Sequence, residues 1–151
     1  VTLQVAAPLA GEVVPLSAVP DPVFAGAMVG PGVAIEPHPE STEVRAPIGG
    51  TVATLHPHAF VIAGDDGLGV LVHLGIDTVK LRGEGFTLRV VKGEKVRAGQ
   101  PIVEWEPDAV REAGYSSTCP VIALDATAED LSDLVVPRTV EIGAALFTWN
   151  R

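Results

Sequence analysis

The chain has 151 residues, 47% of them apolar, and a formal net charge of −9. That length and apolar content exclude a disordered chain and suffice for one domain with a sizeable core. The acidic balance excludes nucleic acid and anionic membrane surfaces as partners, because both demand basic patches.

The single cysteine, Cys119, rules out an intrachain disulfide framework and fits a reducing compartment. No apolar run reaches the roughly 18–20 residues of a membrane span, and no charged-then-apolar signal segment is visible. The expected location is cytoplasmic. Sixteen glycines and 13 prolines are too many for a helix bundle and suit short strands joined by turns.

In chain order, residues 12–16 form the first expected strand. Asp21-Pro22 then offers an N-cap and an N1 proline for one helical turn ending at Gly26. Strands are expected over 32–36, 43–45, 51–55 and 59–63, with Pro37-His38-Pro39-Glu40-Ser41 as an exposed loop. Asp65-Asp66-Gly67 is a hairpin turn leading into a strand over 70–74. Strands over 86–91 and 101–105 follow, with Lys92-Gly93-Glu94 as a turn between them. Residues 107–113 read as a short helix stopped by Gly114. Strands over 121–124, 139–141 and 145–149 complete the set, with a capped helical start over 127–134. The expected fold class is all-β: an antiparallel β-sandwich or barrel-like single domain, 1–151, with a few short helical turns.

The chain also repeats itself. Ala7-Pro8-Leu9-Ala10-Gly11-Glu12-Val13 matches Ala46-Pro47-Ile48-Gly49-Gly50-Thr51-Val52. A second pattern, apolar-x-x-Gly-x-x-apolar, recurs at Val23/Gly26/Val29, Val96/Gly99/Ile102 and Val140/Gly143/Leu146. Both point to similar hairpin-like units within one β domain, not to a solenoid.

Chemistry concentrates on the histidines. His73 lies in the apolar run Gly69-Val70-Leu71-Val72-His73-Leu74-Gly75-Ile76-Asp77-Thr78. One reading is a structural imidazole bonded to a carbonyl. The other is an oriented nucleophile, one nitrogen fixed and the other open. Strand alternation puts Leu71, His73 and Gly75 on one face, where Gly75 would leave room for an approaching group. His58 precedes the expected strand 59–63, and pairing around the 65–67 turn brings it to the same open end as His73. Two neighbouring imidazoles resist both being cationic, and they can share an anion or a metal.

His56-x-His58 suits zinc ligation if both rings share a strand face, but Pro57 disfavours a regular central strand. Asp77 either orients an imidazole, binds metal, faces a basic partner or simply occupies a turn. Val23, Phe24, Met28 and Val29 are either core or an exposed apolar patch. Gly83-Glu84-Gly85 is a turn without the context of a phosphate loop. Cys119 lacks a nearby base in sequence and reads as packing.

These residues together resemble a known family. The run from Gly69 through Phe86 is similar to the phosphorylation-site signature of the glucose-type enzyme IIA domain of the sugar phosphotransferase system. The similarity extends to Ala7-Pro-Leu-Ala-Gly11, Val19-Pro-Asp-Pro-Val-Phe24, Val29-Gly-Pro-Gly-Val-Ala-Ile35, Ala46-Pro-Ile-Gly-Gly50 and His58-Ala-Phe60. The run His56-Pro-His58-Ala-Phe looks closest to high-GC Gram-positive members.

The resemblance implies a β-sandwich with a shallow apolar depression. It implies that His73 takes a phosphoryl group from phospho-HPr on Nε2 and passes it to the cysteine of an enzyme IIB domain. His58 matches the second histidine, which hydrogen-bonds the phosphoryl group. Val23, Phe24, Met28, Val29, Leu71 and Val79 match the apolar ring that receives both partners, and Asp21 and Asp77 match acidic positions suited to arginine on HPr. No cofactor is implied, except a zinc that a regulatory partner would complete with His58 and His73. His56 stands where some members have a small polar residue.

The competing reading is a zinc hydrolase of lysostaphin-like type using His56, His58, His73 and Asp77. The order of its motifs along the chain argues against it. A noncatalytic binding module using the apolar patch is a third.

Overall fold

The computed structural model describes residues 2–134, 136 and 138–150. Its strands are β1 (Thr2–Ala6), β2 (Gly11–Pro15), β3 (Gly32–Pro37), β4 (Glu43–Arg45), β5 (Gly50–His56), β6 (Ala59–Ala63) and β7 (Gly69–His73). They continue as β8 (Thr87–Leu88), β9 (Lys95–Val96), β10 (Pro101–Glu104), β11 (Cys119–Ala123), β12 (Leu131–Ser132), β13 (Arg138–Val140) and β14 (Ala145–Asn150). Two short helices, α1 (Pro22–Ala25) and α2 (Pro107–Glu112), and three single 3₁₀ turns interrupt them.

The strands form an eight-stranded sheet in the order β13-β2-β3-β11-β7-β6-β5-β9 and two three-stranded sheets, β1-β14-β12 and β4-β10-β8. Neighbours pair antiparallel. The all-β antiparallel architecture expected from composition is the one found.

The sequence repeat is a repeat of structure. Ala7 donates its N–H to the Ala144 carbonyl and accepts from Gly143 N–H. Ala46 does the same with Gln100 and Gly99. Gly11 then pairs opposite Val140 and Gly50 opposite Val96. The matched apolar pairs Val5 and Val44, Leu9 and Ile48, and Val13 and Val52 are all buried. A side chain at Gly11 or Gly50 would run into the carbonyl of Glu36 or Ala63 on the next strand, which accounts for both glycines. The Val23/Gly26/Val29 member of the glycine pattern does not belong: Gly26 ends α1 with φ −85° and turns no hairpin.

Period-two alternation sorts the large sheet into two faces. Val70, Val72, Val33, Ile35, Phe60, Ile62 and Val121 enter the main core, where they meet Val5, Phe147 and Ile102 of the small sheets and Trp105 just after β10. The opposite face carries a second, smaller cluster: Leu16, Val19, Ala34, Ile76 and Ile122, with Phe24 and Leu71 packed against it. This second cluster supports the site.

Several expectations need correction. Only Thr87–Leu88 of 86–91 is strand, because after Arg89 N–H bonds the Ile102 carbonyl the chain leaves β10 for the turn in which Glu94 accepts from Val91 N–H. The helical start at Thr127 has its capping box but ends after Ala128–Asp130, where Leu131 pairs opposite Trp149 instead. The 37–41 loop is exposed only at its tip. Pro37 belongs to β3, and Ser41 is buried, donating to the Ala10 carbonyl at 2.7 Å.

Candidate functional site

One residue sets the register of the histidines. Ala59, at the start of β6, lies opposite His56 of β5 and opposite His73 of β7. Pro57 and His58 form the two-residue turn between β5 and β6. The His58 carbonyl accepts from Leu74 N–H at 2.7 Å, tying that turn to the end of β7. The hairpin geometry expected from the Asp65-Asp66-Gly67 turn therefore does bring His58 and His73 together. Their ring centroids are 5.2 Å apart in an edge-on arrangement.

His73 is the last residue of β7, on the face away from the main core. Its ring Nδ1 lies 2.5 Å from the Gly75 carbonyl oxygen. A carbonyl only accepts, so Nδ1 carries the proton and the neutral ring keeps its lone pair on Nε2. Of the two readings of His73, the geometry contains the carbonyl-bonded nitrogen, and the second ring nitrogen has no hydrogen bond among the described residues.

Gly75 corrects a sequence expectation. The strand ends at His73, so Gly75 does not share its strand face. Its φ is +79°, and a Cβ there would lie 2.6 Å from Thr78 Cγ2 and 2.7 Å from the Ser116 carbonyl oxygen. The glycine is a backbone requirement: it turns the chain so that its carbonyl meets the imidazole. It is not clearance for docking.

The segments on either side complete the site. Asp21 caps α1 by accepting from Val23 N–H at 2.8 Å and Phe24 N–H at 3.4 Å. This places the Phe24 ring 5.1 Å from the His73 ring, tilted by 59°. After β7, Asp77 adopts a left-handed conformation (φ 61°) and leads into the 3₁₀ turn Thr78–Leu81. Buried Thr78 anchors that turn by donating to the Leu74 carbonyl at 2.7 Å.

Among the matched apolar residues, Val23, Met28 and Val79 are exposed at 46%, 75% and 58%. Phe24, Val29 and Leu71 are half-buried. The exposed three stand on the two segments that flank His73. The resemblance places Phe24 in the apolar ring around the site, and the structure adds its direct contact with the His73 ring.

Electrostatics keep both rings neutral. Burial is the main cause that lowers the His58 pKa, to about 4, and the neighbouring His73 and His56 add to it. Burial also lowers that of His73, opposed by the bond to Gly75 and by the charges of Asp21 and Asp77. Those two carboxylates therefore act on the ring without touching it.

His56 is exposed at the end of β5 and stacks on His58, with centroids 5.7 Å apart and planes 25° off parallel. Pro57 did not separate the two rings. The zinc-hydrolase reading nevertheless fails on geometry. Among the described residues, no group of three or more His, Cys, Asp or Glu side chains is placed to hold a metal. Cys119 is fully buried, its thiol pushed up to about 12 by burial, which fits packing. His38 faces Glu40 at 3.7 Å in the surface loop.

Residues 3–128 match the family model described as phosphoenolpyruvate-dependent sugar phosphotransferase system, EIIA 1. The chain belongs to that family. The structure is also similar to the glucose permease IIA of Mycoplasma capricolum, with a TM-score of 0.90 and 33% sequence identity, covering 98% of this chain and 96% of that one. Family membership makes this EIIA chain a phosphoryl carrier of a sugar phosphotransferase system, a transferase component. No helix among the described residues of this EIIA chain is long and apolar enough to cross a membrane.

Proposed function

We propose that His73 is the residue that carries the phosphoryl group, taking it from phospho-HPr and giving it to the cysteine of an enzyme IIB domain. The carrying observation is the bond from Nδ1 to the Gly75 carbonyl, which leaves Nε2 as the open nucleophile.

The Nε2 lone pair forms the new N–P bond as the donor's N–P bond breaks, and the donor nitrogen keeps that electron pair. The His73 ring becomes a phospho-imidazolium that retains its Nδ1 proton. The Gly75 carbonyl and the charges of Asp21 and Asp77 stabilise this positive ring. In the second transfer the IIB thiolate attacks phosphorus and Nε2 recovers its pair. His58, neutral at pH 7, donates an N–H to a phosphoryl oxygen and so favours the charge that develops during transfer.

The exposed Val23, Met28 and Val79, with Phe24, Val29 and Leu71 behind them, receive both partners. Asp21 and Asp77 add an acidic rim for a basic HPr face. This relay operates in the cytoplasm. The transfer needs no cofactor. Zinc enters only if a regulatory partner adds a carboxylate to His58 and His73, and metal-independent binding of such partners would remove that role.

Incubation with phosphoenolpyruvate, enzyme I and HPr tests the reading. Acid-labile phosphate in the intact protein, absent from His73→Ala, is the expected result. Intact protein that takes up none would overturn it.

A further inference from the structure

His56 has no part in the relay just described, yet its ring is the third in a row. His73 meets His58 edge-on at 5.2 Å, and His58 carries His56 on its other contact at 5.7 Å and 25°. His58 sits, half-buried, in the two-residue turn between β5 and β6. Its backbone is fixed by the carbonyl bond to Leu74, but no side-chain hydrogen bond among the described residues orients its ring. Two aromatic contacts are what orient it.

We propose that His56 is a positioning residue for phosphoryl transfer: by stacking on His58 it holds that ring with an N–H toward the group carried by His73. This rests on the relay reading above. Near-parallel offset rings at this separation attract, and the attraction is worth a few-fold in an equilibrium. The pairing follows from the fold. His56 ends β5 opposite Ala59, and the intervening Pro57 holds the turn that presents both rings on one side.

A flat apolar ring can replace His56 in this role, and a methyl group cannot. The experiment compares His56→Phe and His56→Ala in single-turnover transfer from phosphorylated protein to the IIB acceptor. It repeats both in a His58→Ala background. His56→Ala is expected to slow transfer by about three- to tenfold at saturating acceptor, with the acceptor KM unchanged, as loss of an aromatic pair predicts. His56→Phe should restore the rate to within about twofold. Without His58, neither substitution should matter. Transfer by His56→Ala at the wild-type rate, failure of His56→Phe to rescue, or an equal effect in the His58→Ala background would each overturn the proposal.

Ring order supplies a readout independent of phosphate. In unphosphorylated protein, NMR relaxation of the His58 ring should show greater mobility in His56→Ala than in wild type or His56→Phe. An unchanged ring contradicts the positioning role. Restrained rings in a protein that takes no phosphate on His73 would instead sink the relay reading alone.

Discussion

The His73 Nδ1 and the Gly75 carbonyl oxygen are 2.5 Å apart, so a residue two positions beyond the strand end selects the tautomer of the ring. The bond depends on a backbone turn with φ +79° at Gly75, wedged between Thr78 and Ser116. Conformation at one glycine and nucleophilicity at one nitrogen are therefore a single feature.

Gly75→Ala should damage both. An added methyl meets the Ser116 carbonyl, which already accepts from Ile76 N–H at 2.9 Å, and cannot move without breaking that bond. Strain at positive φ plus this clash should cost about 2–4 kcal/mol in denaturant unfolding. Phosphate uptake by the remaining folded protein should fall as well. Wild-type stability in this variant would show that the turn is not required.

Removal of His58 should separate acceptance from delivery. His58→Ala keeps the Nδ1 bond of His73 and should still take phosphate from HPr. It should pass the group to IIB about 100-fold more slowly, the low end of the scale for losing one positioned donor. Wild-type delivery would remove the assigned role.

Acid should destabilise the protein through the same residue. The His58 pKa falls from 6.5 to about 4 on folding, with burial as the main cause. Between those values the unfolded chain binds more protons, so stability rises with pH across that window and levels off above it. His73, also lowered, acts in the same direction. An NMR titration should find the His58 ring neutral at pH 6 and protonating near pH 4. In His58→Gln the stability lost between pH 6.5 and 4 should shrink. A His58 midpoint near 6.5 would contradict the burial argument.

The apolar rim should matter for docking and not for folding. Met28 and Val79 are exposed at 75% and 58%, so Met28→Ser with Val79→Ser should change stability by less than about 0.5 kcal/mol. The KM for phospho-HPr should rise by about tenfold, as expected when central apolar contacts are truncated. An unchanged KM would place the docking surface elsewhere.

Much of this was legible in the sequence where local signals and distant pairing agree. The Asp65-Asp66-Gly67 turn and the strands around it fixed where His58 and His73 meet. The Ala7 and Ala46 repeats foretold matched structural units. What stayed hidden depends on partners far along the chain. β9 and β12 are two residues long and exist because Thr51 and Trp149 pair with them. Strand alternation puts Gly75 on the His73 face only if β7 continues, and β7 ends at His73. The Phe24 contact depends on where α1 lands on the second cluster, which no local pattern encodes.

The central claim is that Nε2 of His73 carries the phosphoryl group because Nδ1 is committed to Gly75. Phosphorylated protein with ¹⁵N-labelled histidine reports this directly through the one-bond coupling between ³¹P and ring nitrogen. The account predicts coupling to Nε2 of His73, with the proton still on Nδ1. Coupling to Nδ1, or to a ring nitrogen of His58 or His56, would contradict it.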